Sequence, residues 1–245
     1  DMFYSKALPA VQLPEGVEVC SLSEAASRHP ERLVNYYAKL ARSGKDALVA
    51  LNTMLAQDGL LIYVPKNVVV ERTIQVVNIL RSDVDLMVNR RVLVVLEQGA
   101  QARILFCDHA VDHHKFLVNQ VVEAYVADNA HLEMYELEET HSDTTRFSNM
   151  FVEQGRYSTF VNNTITLTCG KTRNRIDVVM CEEGAETNLY GCVIADSKQH
   201  VDNNTLIDHR AAHCTSNELY KYVLDGSAVG AFAGRVLVRK DAQHT

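Results

Sequence analysis

The sequence predicts a mainly β chain, a parallel β-helix (solenoid) behind a small helical N-terminal segment, and three observations carry that reading. Turn-like stretches recur: "EQG" stands at 97–99 and again at 153–155, and "EEG" at 182–184. "ADNA" at 127–130 and "RAA" at 210–212 fill the gaps, giving a period of roughly 26–30 residues of the kind solenoids show. Each turn is followed by one short run rich in Val, Ile, Tyr and Thr, and most repeats hold a second. No helix-length pattern separates these runs, which excludes the alternating helices of a βαβ fold. Coils of a β-helix stack about 4.8 Å apart around a continuous apolar column. An antiparallel sandwich is the structural alternative.

Residues 1–59 follow a different period and are expected to form the helical segment, with 60–245 as the β-helix core. Ser21 and Glu24 make a capping box, and Pro30 suits the first turn of a second helix. Leu33, Tyr36, Tyr37 and Leu40 then recur at helical spacing until Gly44. Asp46 caps a third helix with Leu48, Leu51 and Leu55 on one face and Gly59 as its stop. "LLIYVPKNVVV" at 60–70 opens the β region, with a turn at Pro65, Lys66 and Asn67.

Within the repeats the first strands are expected at 102–107, 132–137, 157–166, 185–194 and 214–223, and the second at 116–126, 148–152, 175–181 and 204–209. Gly99, Gly155 and Gly184 should lie along one edge of the solenoid. A last strand, from Ala231 to Arg239, stops six residues before Thr245. Its open edge is expected to pair with another chain, including a second copy of this one.

Composition narrows the function. Lys and Arg number 24 against 31 Asp and Glu, a net charge of −7, so the basic footprint of a nucleic-acid or anionic-membrane surface is missing. The longest apolar runs, such as Val92 to Leu96, are far too short to span a bilayer. Six cysteines lie far apart without a CxxC pair and read as reduced thiols of a cytoplasmic protein. The first residue is not Met, so further N-terminal sequence is expected before it.

Motifs of chemistry mostly fail. "CGKT" at 169–172 holds the end of a phosphate loop, but the glycine required five residues before Gly170 is Ile165. His109 and His113 stand four apart, the spacing of a helical metal pair, but lie between two strands and read as a polar loop. His209, His213 and Cys214 fall at a repeat boundary and are the candidates for metal ligands, since imidazole and thiolate suit iron or zinc. Cys169, Cys181 and Cys192 lie on or beside strands and read as small buried hydrophobes. No nucleophile elbow and no paired-carboxylate site appears, so no catalytic residue is assigned and the chain is expected not to be an enzyme.

The stretch "NELYKYVLDGSAVGAFAGRVLVRKDAQHT" closely resembles the signature of the SufB/SufD family of SUF-system iron–sulfur cluster assembly proteins. Tyr220, Lys221, Val223 and Leu224 carry the first part; Phe232, Gly234, Arg235, Val236 and Val238 the second; Ala242, Gln243 and Thr245 the last. "LVALNTMLAQDGLLIYVPKNVVVERTIQVV" at 48–77 is similar to the family's entry segment. The ending looks like the SufD branch rather than the SufB branch.

The resemblance implies a right-handed parallel β-helix without catalytic activity of its own, a scaffold subunit. Its partners would be a SufB-like paralogue and the SufC-like ATPase. An iron–sulfur cluster would be carried transiently by the full complex, with no cofactor bound by this chain alone. The family's later Cys-Ser-His-Gly motif and C-terminal helices, with the segment usually associated with ATPase docking, do not occur in these residues. No metal ligand is therefore carried over from the family. The alternatives are a SufB-type paralogue, which would carry cluster-ligand cysteines towards its C-terminus, and a β-helix protein acting on polysaccharide. Against the second stand the absence of Trp and an aromatic content of only 7%.

Overall fold

A computed structural model describes residues 13–42 and 46–245. A short strand, β1 (Glu18–Ser21), leads into α1 (Leu22–Arg28), α2 (Pro30–Tyr36) and α3 (Ala47–Leu55). Ser21 caps α1 by accepting from the Glu24 N–H, and Asp46 caps α3 by accepting from Leu48 and Val49. Both caps stand where the sequence places them.

Three expectations about this segment are corrected. First, the helical spacing continues to Leu40, but α2 ends at Tyr36. The Glu123 carboxylate captures the N–H groups of Ala38, Leu40 and Ala41 at 2.8–3.0 Å, and Ala38 turns to φ 57°. Donors bound to a distant carboxylate are lost to the helix ladder. The proposed stop at Gly44 lies outside the described residues. Second, α3 buries Val49 and Asn52 rather than the leucine face, because the Asn52 amide donates to the carbonyls of Arg90 and Asn119. Third, Gly59 stops no helix. It begins β2 (Gly59–Val64), where a Cβ would lie 2.2 Å from the Arg91 carbonyl oxygen. β1, which the sequence reading missed, pairs antiparallel with β2.

From here the chain winds through β3 (Ile74–Leu80), β4 (Leu86–Leu96), β5 (Gln101–Ala110), β6 (Phe116–Val126), β7 (His131–Glu139) and β8 (Thr144–Gln154). It continues through β9 (Thr159–Thr168), β10 (Lys171–Met180), β11 (Glu186–Ala195), β12 (His200–His209), β13 (Thr215–Leu224) and β14 (Val229–Val238). Even-numbered strands stack in one sheet, behind β1, and odd-numbered strands in the other; apart from β1 with β2, every pairing of these strands is parallel. The result is a β-solenoid of about six turns, as expected, and not a sandwich. Partners of Leu93 on successive coils are Glu123, Phe151, Asp177, Leu206 and Arg235, which are 30, 28, 26, 29 and 29 residues apart. The sequence period is the coil length.

One corner of the solenoid is a column of left-handed residues: Asn67, Gly99, Asn129, Tyr157, Gly184 and His213, all at φ between 51° and 73°. Each donates its N–H to a corner carbonyl of the next coil, so the turns form a ladder of their own. Gly99 and Gly184 occupy the column because a left-handed backbone suits glycine. Gly155 sits two residues before Tyr157 for a different reason: a Cβ there would lie 2.4 Å from Asp128 Oδ1. The three glycines do share one edge.

The interior divides in two. Towards the left-handed corner the inward columns are mostly apolar: Val94, Ala124, Val152, Val178 and Ile207 on the even sheet, and Ile104, Met134 and Leu189 on the odd one, where a buried Asn162 stands between Met134 and Leu189. Beside the opposite corner they turn polar, with Arg90, Gln120, Ser148, Asn174 and Asn203 buried in register on the even sheet.

Candidate functional site

The residues singled out for metal binding do not meet around one point. His209, at the end of β12, is buried, with Nε2 2.9 Å from Ser216 Oγ and Nδ1 3.2 Å from Thr245 Oγ1. Burial holds its imidazole below the usual range. Cys214 is buried and points its Sγ at the Glu182 carbonyl, 3.3 Å away. His213 faces outward from the corner column and stacks on His244, with ring centroids 5.3 Å apart. Among the described residues no three His, Cys, Asp or Glu side chains are grouped to hold a metal.

Other motifs resolve into packing. Gly170 of "CGKT" sits at the second corner, where a Cβ would meet the carbonyl oxygens of Thr144 and Ser142 at 2.3 and 2.4 Å. Stacked coils, not a phosphate, require that glycine. His109 belongs to β5 rather than a loop and lies 3.2 Å from Glu139 of the next coil; His113 packs against His141. Cys169 is buried and Cys181 half-buried, but Cys192 points out of β11 and is exposed, contrary to expectation. Period-2 alternation turns it away from the inward-facing Val193.

What the sequence reading missed is a cluster of five charged side chains in the polar half of the interior. Asp108 on β5 takes both terminal nitrogens of Arg90 at 2.5 and 2.8 Å, Nε of Arg146 at 2.8 Å and the Asn78 amide at 2.9 Å. Arg146 on β8 also donates to Asn174 at 2.6 Å and lies 3.5 Å from Glu136. Glu138, two residues on along β7, accepts from the Thr172 hydroxyl at 2.7 Å. All five are at most 6% exposed.

Electrostatics separates the three acids. Burial opposes ionisation of Asp108, but the Arg90 and Arg146 guanidiniums outweigh it and hold the carboxyl far below its usual range. Burial pushes Glu136 and Glu138 up, and Arg146 offsets this only in part. A signal for the cluster was present: in "LEMYELE" the alternation that points Leu132 and Met134 inward also points Glu136 and Glu138 inward. Charges on an apolar face mark a buried network.

From the cluster a hydrogen-bonded chain runs along the axis. Asn174 donates to Asn203 at 2.9 Å, Asn203 to the Tyr222 hydroxyl at 2.7 Å, and Tyr222 to the Ala231 carbonyl at 2.9 Å. It reaches the coil of β13 and β14, each of which pairs on one side only. Leu219, Val223, Phe232, Val236 and Val238 are exposed there. On the outside, a groove of about 450 Å³ beside Tyr36 is lined by Tyr125, Glu97, Glu153 and Cys181. No helix among the described residues is long and apolar enough to cross a membrane.

Comparison with known proteins matches residues 78–245 to the family described as SUF system FeS cluster assembly, SufBD core domain, and residues 1–76 to the SufBD protein N-terminal region. The chain is 25% identical, over 95% of its length, to an iron–sulfur cluster assembly SufBD family protein of Synechocystis, and covers 53% of that protein. It is 30% identical over 51% of its length to a protein of the same description from Mycobacterium bovis, covering 33% of it. A chloroplastic SufBD family protein of Arabidopsis thaliana is 22% identical over 93% of the chain, which covers 42% of that relative. The chain spans about half the length of the Synechocystis relative, and of a second SufBD family protein of that organism, 23% identical over 94% of the chain, it covers 49%.

Proposed function

The chain belongs to the SufBD family, and from that premise we propose that it serves iron–sulfur cluster assembly as a SufD-type scaffold subunit without catalytic activity of its own. The observation that carries this reading is the extent of the match: the core-domain family over residues 78–245 covers β4 through β14, all of the stacked coils after the first. A parallel solenoid with laddered turns is a stiff platform. Phe232, Gly234 and Arg235 on β14, with Ala242, Gln243 and Thr245 after it, support the SufD branch.

A SufB-like paralogue is the proposed partner, with the coil of β13 and β14 as its seat. The contact with a SufC-like ATPase is placed in the part of the family's length that this chain does not span. The iron–sulfur cluster is cargo of the assembled complex, and the proposed compartment is the cytoplasm. Co-expression with a SUF-type ATPase and a SufB-like chain, followed by affinity capture, tests this. The paralogue should be retained by the 245-residue chain, and the ATPase only by a chain extended to the relatives' full length. Retention of neither partner by the extended chain sinks the reading, and equal ATPase retention by both chains moves the contact into residues 1–245.

A further inference from the structure

We propose that Glu136 and Glu138 together form a proton-binding site inside the solenoid, holding one proton between them at neutral pH. The argument begins with a count of charge. The groups facing the pair are Arg90 from β4, Asp108 from β5, Arg146 from β8, the Cys169 thiol and the Tyr220 phenol from β13. Two guanidiniums therefore meet three carboxyls in a space closed to solvent.

Asp108 takes most of the positive charge. It binds Arg90 through two hydrogen bonds, Arg146 through a third and the Asn78 amide through a fourth. What remains for the glutamates is slight: one Arg146 nitrogen 3.5 Å from Glu136, and the Thr172 and Thr140 hydroxyls on one oxygen of Glu138. Glu136 Oε1 and Glu138 Oε2 accept no hydrogen bond from any described residue. A buried carboxylate so poorly compensated is far costlier than its neutral acid, which needs only one acceptor for its hydroxyl. A proton on the pair brings the five-group cluster to neutrality.

The site makes the interior sensitive to pH. Unfolded glutamates release their protons above about pH 4.3, whereas the folded pair retains one. Stability from this site is thus full below that value and is lost as pH rises towards the folded pair's own titration. Across that window the folded-to-unfolded ratio falls about tenfold per pH unit. Mild acid favours the packed coils, and alkali loosens β7 to β10.

The test uses the whole chain with isotope-labelled glutamate. Infrared difference spectra at neutral pH should show the C=O stretch of a protonated carboxyl, weakened or abolished in Glu138→Gln or Glu136→Gln. Denaturant unfolding from about pH 5 to pH 8 should show the wild type losing ground to Glu138→Gln by up to about tenfold per pH unit. Parallel pH profiles for the two proteins, or no protonated-carboxyl band in the wild type, overturn the proposal. If the Gln variants fail to fold, the wild-type spectrum decides alone.

Discussion

Tyr220 fills the space that Gly191 leaves empty. The two residues are directly in register on neighbouring coils, and a Cβ on Gly191 would lie 2.0 Å from Tyr220 Cδ1. The ring packs on Phe232 of β14, with centroids 4.7 Å apart, so Gly191 and two signature positions form one contact. Gly191→Ala should therefore destabilise the chain by about 1–3 kcal/mol through overpacking. Urea unfolding of the variant checks it, and a change within error means that the Tyr220 ring has room to move.

Arg91 and Glu123 form an ion pair of 2.5 Å with both side chains fully buried, and Glu123 also binds the three N–H groups that end α2. Glu123→Ala leaves a buried guanidinium uncompensated and should cost about 3–5 kcal/mol. The helical segment should loosen first. Limited proteolysis is expected to cut the variant between α2 and α3 while the coils stay intact; simultaneous loss of all protection argues against a separately released segment.

Acid acts on Asp108 with the opposite sign from the glutamate pair. Its folded carboxyl titrates well below the unfolded value of about 3.9, because Arg90 and Arg146 outweigh its burial. The stability it contributes is present above that value and disappears as pH falls through the folded titration. Asp108→Asn should weaken the chain at neutral pH and flatten its unfolding profile below about pH 4. An unchanged acid limb in the variant assigns acid unfolding to other groups.

The thiols should react in order of exposure. Cys192 is open to solvent, whereas burial, aided by Glu138, pushes Cys169 up to about 12, and burial with Glu153 pushes Cys181 up to about 11. Since the thiolate is the nucleophile, iodoacetamide at mildly alkaline pH should label Cys192 first and Cys169 only after unfolding. Mass spectrometry of timed digests reads the order; early labelling of Cys169 means that the interior opens in the native state.

His209 and His213 were candidates of equal standing in the sequence and now differ. His209 is buried between Ser216 and Thr245, so His209→Ala should cost about 1–3 kcal/mol in unpaired groups and lost packing. His213 is exposed at the corner, although its left-handed φ of 59° leaves a backbone penalty for Ala. His213→Asn, which tolerates that conformation, should stay within about 0.5 kcal/mol of wild type. Similar losses in the two variants contradict the placement.

The coils were legible because their determinants are local. β-favouring residues in runs such as 116–126, a turn residue suited to positive φ at Gly99 or Gly184, and a repeat of about thirty residues all act between chain neighbours or at a fixed offset. β6 was read to the residue. Caps at Ser21 and Asp46 are likewise two- and three-residue events.

By itself, then, the sequence determined the solenoid, its period, the corner glycines and the family signature, since periodic patterns and turn chemistry depend only on nearby residues. Tertiary structure alone decided where α2 stops, which face α3 buries, why Gly191 must stay small and which buried charges meet. Glu123 ends α2 from 85 residues away from Ala38, and Arg146 meets Asp108 across 38. A helix end or a buried carboxyl takes its energy from the partner brought to it, and that partner is chosen only when the coils stack.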